Sequence, residues 1–210
     1  MRSAWRSAWR EPGFRISVVA ALAVAVGIAV VLPFFFEHIG RKAGVRPWDP
    51  LIPFIGPVDV TWTTFFVLYG GVAFTVIRAM PEPRSIERGI HAYVLLQLFR
   101  MICMELVTLE PPQDIIPLVD PVTVVFYPDG IPFLKDLFFS GHTATLALMA
   151  CISRGAAARW TMVAATAAVG ALVVIQHVHW TLDVLAAPLF VWLAWRLSSL
   201  SVRRSAGAAA

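Results

Sequence analysis

Six stretches of this chain are almost free of charge and long enough, or nearly so, to cross a lipid bilayer, and no other feature restricts its fold so strongly. A transmembrane helix needs roughly 20 apolar residues. The stretches run over about Ile16 to Phe36, Val60 to Ile77, Gly89 to Leu109, Leu137 to Ser153, Trp160 to Ile175 and Leu182 to Leu197. In lipid every backbone polar group has to be satisfied inside the protein, so six such stretches predict helices. The expected fold is an all-α, polytopic six-transmembrane-helix bundle. Residues 1–15 then form an interfacial arm, 16–198 a six-span membrane domain and 199–210 a tail.

Composition agrees with this and excludes other classes. With 59% apolar and 14% charged residues and a mean hydropathy of +0.75, the chain does not resemble a soluble domain. Its net charge of +4 comes from arginines flanking the apolar stretches, with no dense basic run, so nucleic acid is not an expected partner. Cys103 and Cys151 lie inside apolar segments without CxxC spacing, which points neither to a disulfide framework nor to a zinc site. The first apolar stretch exceeds the apolar core of a signal peptide, about 7–15 residues, and is expected to remain as an uncleaved span.

The connections carry the punctuation. Arg2-Ser3-Ala4-Trp5 repeats as Arg6-Ser7-Ala8-Trp9, a spacing suited to a helix lying at a membrane surface. Residues 37–59 read as a loop, with a short re-entrant piece at Leu51 to Ile55 and His38 as a solvated residue. Residues 110–136 form the longest loop, proline-rich and acidic with a Pro128-Asp129-Gly130 turn, and are suited to act as a lid. Arg100 and Glu105 interrupt the third span, and charges at that depth are expected to face a polar interior. Their spacing of five residues does not place them on one helix face, and the roles of Glu105, Glu110 and His177 are left open.

Two short motifs carry candidate chemistry. His179 and Asp183 are four apart, the spacing at which a carboxylate on a helix reaches an imidazole and leaves its second nitrogen free. Ser140-Gly141-His142-Thr143 opens an apolar run, so the backbone N–H groups there form a helix N-terminus, a ready site for phosphate. Of the 17 Lys and Arg, twelve fall in the N-terminal arm, the 78–88 loop, the 154–159 link and the tail. The positive-inside rule puts these segments and both termini in the cytoplasm, which brings His142 and His179 to one extracytoplasmic face.

The stretches Asp136-Leu137-Phe138-Phe139-Ser140-Gly141-His142-Thr143 and His177-Val178-His179-Trp180-Thr181-Leu182-Asp183-Val184 resemble the type 2 phosphatidic acid phosphatase superfamily, and within it the sphingomyelin synthase-like branch. Arg100 to Met104, continuing to Thr108-Leu109-Glu110-Pro111, is similar to a further segment of that branch. The resemblance covers roughly residues 100 to 190; before them only the number of spans agrees. It implies a phosphotransferase acting on membrane lipids, in a bacterial cytoplasmic membrane, without a cofactor. Within it His179 would be the nucleophile, Asp183 its orienting carboxylate and His142 the acid that protonates the departing alkoxide. Asp136 would tune the histidine or take the acceptor's proton.

Departures from the superfamily's pattern also inform the reading. Phosphatase members carry a lysine, six residues and Arg-Pro before their Ser-Gly-His, and an arginine six residues before the second histidine. Here Lys42 and Arg46-Pro47 are separated by three residues, and position 173 is Val173. Missing phosphate-binding cations favour transfer to a lipid alcohol, of ceramide or diacylglycerol type, over hydrolysis, with Arg100 and Lys135 as replacement charges and Ser140 and Gly141 as backbone contacts. The alternatives are a lipid phosphate phosphatase using water, and a non-enzymatic bundle or transporter. A metal bound by His177, His179 and Asp183 is not expected, because His177 and His179 point about 160° apart on a helix.

The charge distribution generates a topology test. In a background lacking Cys103 and Cys151, cysteines at Asp129 and Ser85 are expected to be respectively labelled and protected when intact cells meet an impermeant thiol reagent. Reversed labelling would overturn the orientation.

Overall fold

The computed structural model describes residues 1–121 and 133–207, with side chains as far as Val202. The Pro128-Asp129-Gly130 turn lies outside the described residues. Seven helices follow in order: α1 Arg2–Arg10, α2 Pro12–Arg41, α3 Thr61–Ala79, α4 Pro83–Leu106, α5 Gly141–Ile152, α6 Ala156–Ile175 and α7 Thr181–Gly207. Among the described residues there is no strand, only an isolated parallel bridge between Val45 and Leu109.

Five of these helices, α2, α3, α4, α6 and α7, are long and apolar enough to cross a membrane. The stretch expected as the fourth span behaves differently. Its helix, α5, has 12 residues and reaches about 18 Å at 1.5 Å per residue, against a hydrocarbon core of about 30 Å. Residues 137–140, expected inside the span, are instead non-helical, and Phe138 has a φ of +105°. A short helix is tolerated here because α5 is the hub of the bundle. It packs on α3, α4, α6 and α7, and eight of its 12 residues are buried.

Local chemistry accounts for the ends. Pro12 and Pro83 stand at the first positions of α2 and α4, where a missing N–H costs nothing. Both helices begin before the apolar stretch itself, and α4 stops at Leu106 as the chain turns into the Val45–Leu109 bridge. Pro33 and Pro188 lie inside α2 and α7, as apolar spans permit. The expected re-entrant piece is a single 3-10 turn at Ile52–Phe54, with Phe54 85% exposed. Lipid-facing character is plainest on α2, where Ile16, Val19, Val26, Val30 and Phe34 are all exposed.

The bundle has two distinct ends. At one, Trp5 Nε1 donates to the Met80 carbonyl at 2.6 Å, Arg84 pairs with Glu11 and, at 2.9 Å, with the fully buried Glu87, and Arg154 pairs with Glu82. Arg88 stacks 3.7 Å over the Trp195 ring and donates to the Trp195 carbonyl. The arm is thereby folded against the bundle. At the other end the loops are cross-tied by backbone bonds: Val45 N–H to Thr108 O, Val58 N–H to Ile175 O and Ile116 N–H to Gln176 O. The charges of the third span find partners there too. Glu105 meets Lys42 at 2.7 Å and His38 at 3.1 Å, while Arg100 pairs with Asp136.

Close packing at the hub sets a stability expectation. A Cβ on Gly71 of α3 would lie 2.6 Å from Leu146 Cδ2 and 3.5 Å from the Met162 sulfur. Gly71→Val is therefore expected to destabilise the bundle by about 1–3 kcal/mol through overpacking, read as a lower Tm in detergent. Gly70→Val, where a Cβ meets nothing within 4 Å, should leave the Tm nearly unchanged.

Candidate active site

Both motifs sit at the loop-tied end and are built on helix N-termini. Ser140 caps α5: its Oγ accepts the Thr143 N–H at 3.3 Å, leaving His142 in the first turn. Trp180 precedes α7, and the Asp183 carboxylate reaches back to the Trp180 N–H at 3.2 Å, the acidic half of a capping box. The same oxygen, Oδ2, lies 3.3 Å from His179 Nδ1. His179 itself is outside the helix, so the four-residue spacing works through a cap rather than along a helix face. A backbone bond from Ser140 N–H to Asp183 O, at 3.0 Å, joins the two motifs directly.

An ionised carboxylate can only accept, so His179 Nδ1 carries the proton and Nε2 bears the lone pair. Nε2 makes no hydrogen bond among the described residues. The His142 and His179 rings meet edge to face, with centroids 6.1 Å apart and planes at 64°. A cavity of about 30 Å³ touches both rings, together with Asp136 and Leu118. A second, of about 130 Å³, meets it at His142 and Asp136 and is lined also by Arg100, Asp120, Tyr93 and Gln97.

The expected site residues divide into three groups. His142, His179, Asp183, Ser140 and Gly141 are brought together by the caps. Asp136 and Arg100 pair beside them, and the guanidinium lies over Gly141: a Cβ there would sit 2.7 Å from Arg100 Cζ, so only glycine admits this approach. Lys135 is directed elsewhere, to Glu110 Oε1 at 2.6 Å and the Lys42 carbonyl at 2.8 Å. Glu110 also accepts the Gly44 N–H, and its backbone carbonyl accepts Trp180 Nε1–H at 3.0 Å. His177, with a φ of +58°, donates from Nε2 to the Ile55 carbonyl at 2.8 Å and braces the loop preceding α7.

Three residues of the site were not singled out by sequence. Asp49 accepts the Thr181 N–H at 2.6 Å and hydroxyl at 2.9 Å while closing its own loop onto the Leu51 and Ile52 N–H groups. Asp120, 5% exposed, accepts from the Tyr69 hydroxyl at 2.5 Å and has Oδ2 3.9 Å from His142 Nε2. Gln176, fully buried, holds Val60, Thr61 and Ile116 with its amide. The Asp49–Thr181 contact spans 132 residues, and no local pattern announces it.

Residues 135–200 match the family model of the PAP2 superfamily C-terminal domain. The match takes in both motifs and supports the type 2 phosphatidic acid phosphatase superfamily, whose membership suggests lipid chemistry of the phosphatase or phosphotransferase kind. No curated protein and no solved structure matches the chain.

Asp49 generates a pH expectation. Burial pushes its carboxyl up, but the hydrogen bonds from Ile52, Leu51 and Thr181 outweigh it and hold the group below its ordinary value of 3.8. Glu110 is lowered as well, chiefly by the Lys135 ammonium. A carboxyl lowered in the folded state adds stability that is complete above its unfolded value and lost as pH falls through the folded one. The docking of the 45–58 and 107–121 loops is thus expected to weaken below about pH 4, read as lower protection of the Thr181 amide relative to its intrinsic exchange rate at the same pH. Asp49→Asn should show that lower protection already at pH 7 and a flatter response to acid.

Proposed function

We propose that this chain is a membrane lipid phosphotransferase of the sphingomyelin synthase-like branch of the type 2 phosphatidic acid phosphatase superfamily. The observation that carries the reading is the adjacent pair of imidazoles, one held by a carboxylate so that its second nitrogen is free. His179 Nε2 attacks the phosphorus of a phospholipid, an N–P bond forms, and the P–O bond to the lipid alkoxide breaks. Imidazolium at His142 gives its proton to that oxygen. A hydroxyl of the acceptor lipid then returns a proton to His142 while its oxygen attacks phosphorus, releasing His179. Asp183 keeps the attacking tautomer and balances the positive charge on the ring as the N–P bond forms.

Phosphate oxygens are placed against Arg100 and the N–H groups at the start of α5. The superfamily's other cations have no counterpart. Val173 is fully buried in the apolar core, Lys42 is held by Glu105, and neither Lys42 nor Arg46 lines a cavity beside His142. That supports a lipid alcohol, rather than water, as acceptor. The five long helices and α5 are read as six crossings, α5 being the one that stops short to leave room for the site. The loop-tied end is assigned to the extracytoplasmic face and both termini to the cytoplasm.

Purified protein given headgroup-labelled phospholipid is expected to form a new labelled phospholipid when diacylglycerol or ceramide is added. His179→Ala should abolish turnover while eluting as folded protein in detergent, and Asp183→Asn should reduce it by about 10²-fold or more. Water-soluble labelled product in equal yield with and without a lipid alcohol would favour the hydrolase.

A further inference from the structure

His179 has a carboxylate partner in Asp183, whereas no acid is within hydrogen-bond distance of His142 among the described residues. Asp136 is the acid nearest in sequence, but its carboxylate is engaged by the Arg100 guanidinium. A different acid faces the ring. Asp120 reaches the site from the 107–121 loop, buried to 5% exposure, and its Oδ2 stands 3.9 Å from His142 Nε2. Its other oxygen is fixed by the Tyr69 hydroxyl at 2.5 Å, and the Tyr69 ring stacks on Phe65, which in turn packs against His142. The carboxylate is therefore aimed by α3, not by the loop alone. On the opposite side of the imidazole, Nδ1 is buried with no hydrogen-bond partner.

We propose that Asp120, oriented by Tyr69, is the positioning residue of His142, holding its Nε2–H so that Nδ1–H is the group that exchanges a proton with the lipid oxygens. The proposal rests on the phosphotransfer reading and adds a second carboxylate–imidazole pair to it. Each histidine then has one nitrogen beside an acid and one without a hydrogen-bond partner among the described residues. In the first half-reaction the Nδ1 proton passes to the departing alkoxide as its P–O bond breaks, and Asp120 faces the Nε2–H that remains on the neutral ring. In the second the acceptor hydroxyl returns a proton to Nδ1, and the imidazolium is again balanced by Asp120. A distance of 3.9 Å closes to a hydrogen bond with a shift of about 1 Å, of the kind catalytic contacts make when substrate binds.

Tyr69 and Asp120 lie 51 residues apart and Asp120 and His142 a further 22, in segments with no shared motif. The arrangement is visible only in three dimensions.

Leaving-group dependence tests this without relying on loss of activity alone. Dihexanoyl phospholipids with phosphate, ethanolamine and choline headgroups have alkoxide leaving groups that need a proton. The p-nitrophenyl esters of the same headgroups expel a stable phenolate that does not. For the headgroup turned over, Asp120→Asn is expected to lower kcat/KM, which reports only the half-reaction that expels the leaving group, by about 10²-fold on the dihexanoyl lipid and by less than about 5-fold on the nitrophenyl ester. His142→Ala should show the same selectivity, Tyr69→Phe a weaker version, and Asp120→Glu a partial return of the alkyl activity. If Asp120→Asn does not fold, the Asp120→Glu and Tyr69→Phe ratios decide. Equal losses on both esters, or none, would overturn the role of Asp120 while His142→Ala selectivity leaves the phosphotransfer reading standing. A wild type inert on every ester would overturn that reading and this one together.

Discussion

The site depends on what surrounds one carboxylate, that of Asp183. Its Oδ2 accepts from the Trp180 N–H and lies against His179 Nδ1, and its backbone carbonyl accepts from Ser140. The first contact starts α7, the second orients an imidazole, and the third sets the start of α5 beside the start of α7. Asp183 is fully buried. A buried carboxylate is costly unless its charge is met by donors; the cap and the imidazole meet Oδ2, while Oδ1 is buried with no hydrogen-bond partner among the described residues. Helix initiation and orientation of the histidine are thereby one event.

Around this centre the polar groups have been collected at the two ends of an apolar bundle. At the site end Asp49, Glu110 and Gln176 act as clamps, each holding segments distant in sequence. Their work is to position the turn at 176–180, which carries His179 but has no regular structure of its own. At the other end arginines pair with Glu11, Glu82 and Glu87 and stack on Phe14 and Trp195. Charges of the third span follow the same logic. Arg100 and Glu105 each find a partner from a different segment, Arg100 with Asp136 and Glu105, half-exposed at the end of α4, with Lys42 and His38.

The central position of α5 explains its length. A 12-residue helix in contact with lipid would leave polar backbone in the hydrocarbon, but α5 is enclosed by four other helices. Its missing turns are replaced by the non-helical 137–140 segment, where Phe138 adopts a left-handed backbone and the chain doubles back to Ser140. Stopping the helix there places its capped N-terminus beside the two imidazoles.

All-helical architecture, the five long helices and the two motifs were legible in the sequence, because apolar length and cap residues act locally and leave a local signature. Pairing of His179 with Asp183 was legible too, though for a different reason than helix periodicity: the residues are neighbours across a cap. The length of α5 was not, since hydropathy records how apolar a segment is and not whether protein or lipid surrounds it. Nor were the partners of Arg100, Lys135 and Asp120. Lys135, expected to bind substrate, bonds to Glu110, while Asp120, one acid among several in a proline-rich loop, faces His142. A charged side chain takes whichever partner the packing brings within a few ångströms, and over separations of 22 to 132 residues only the tertiary structure decides which one that is.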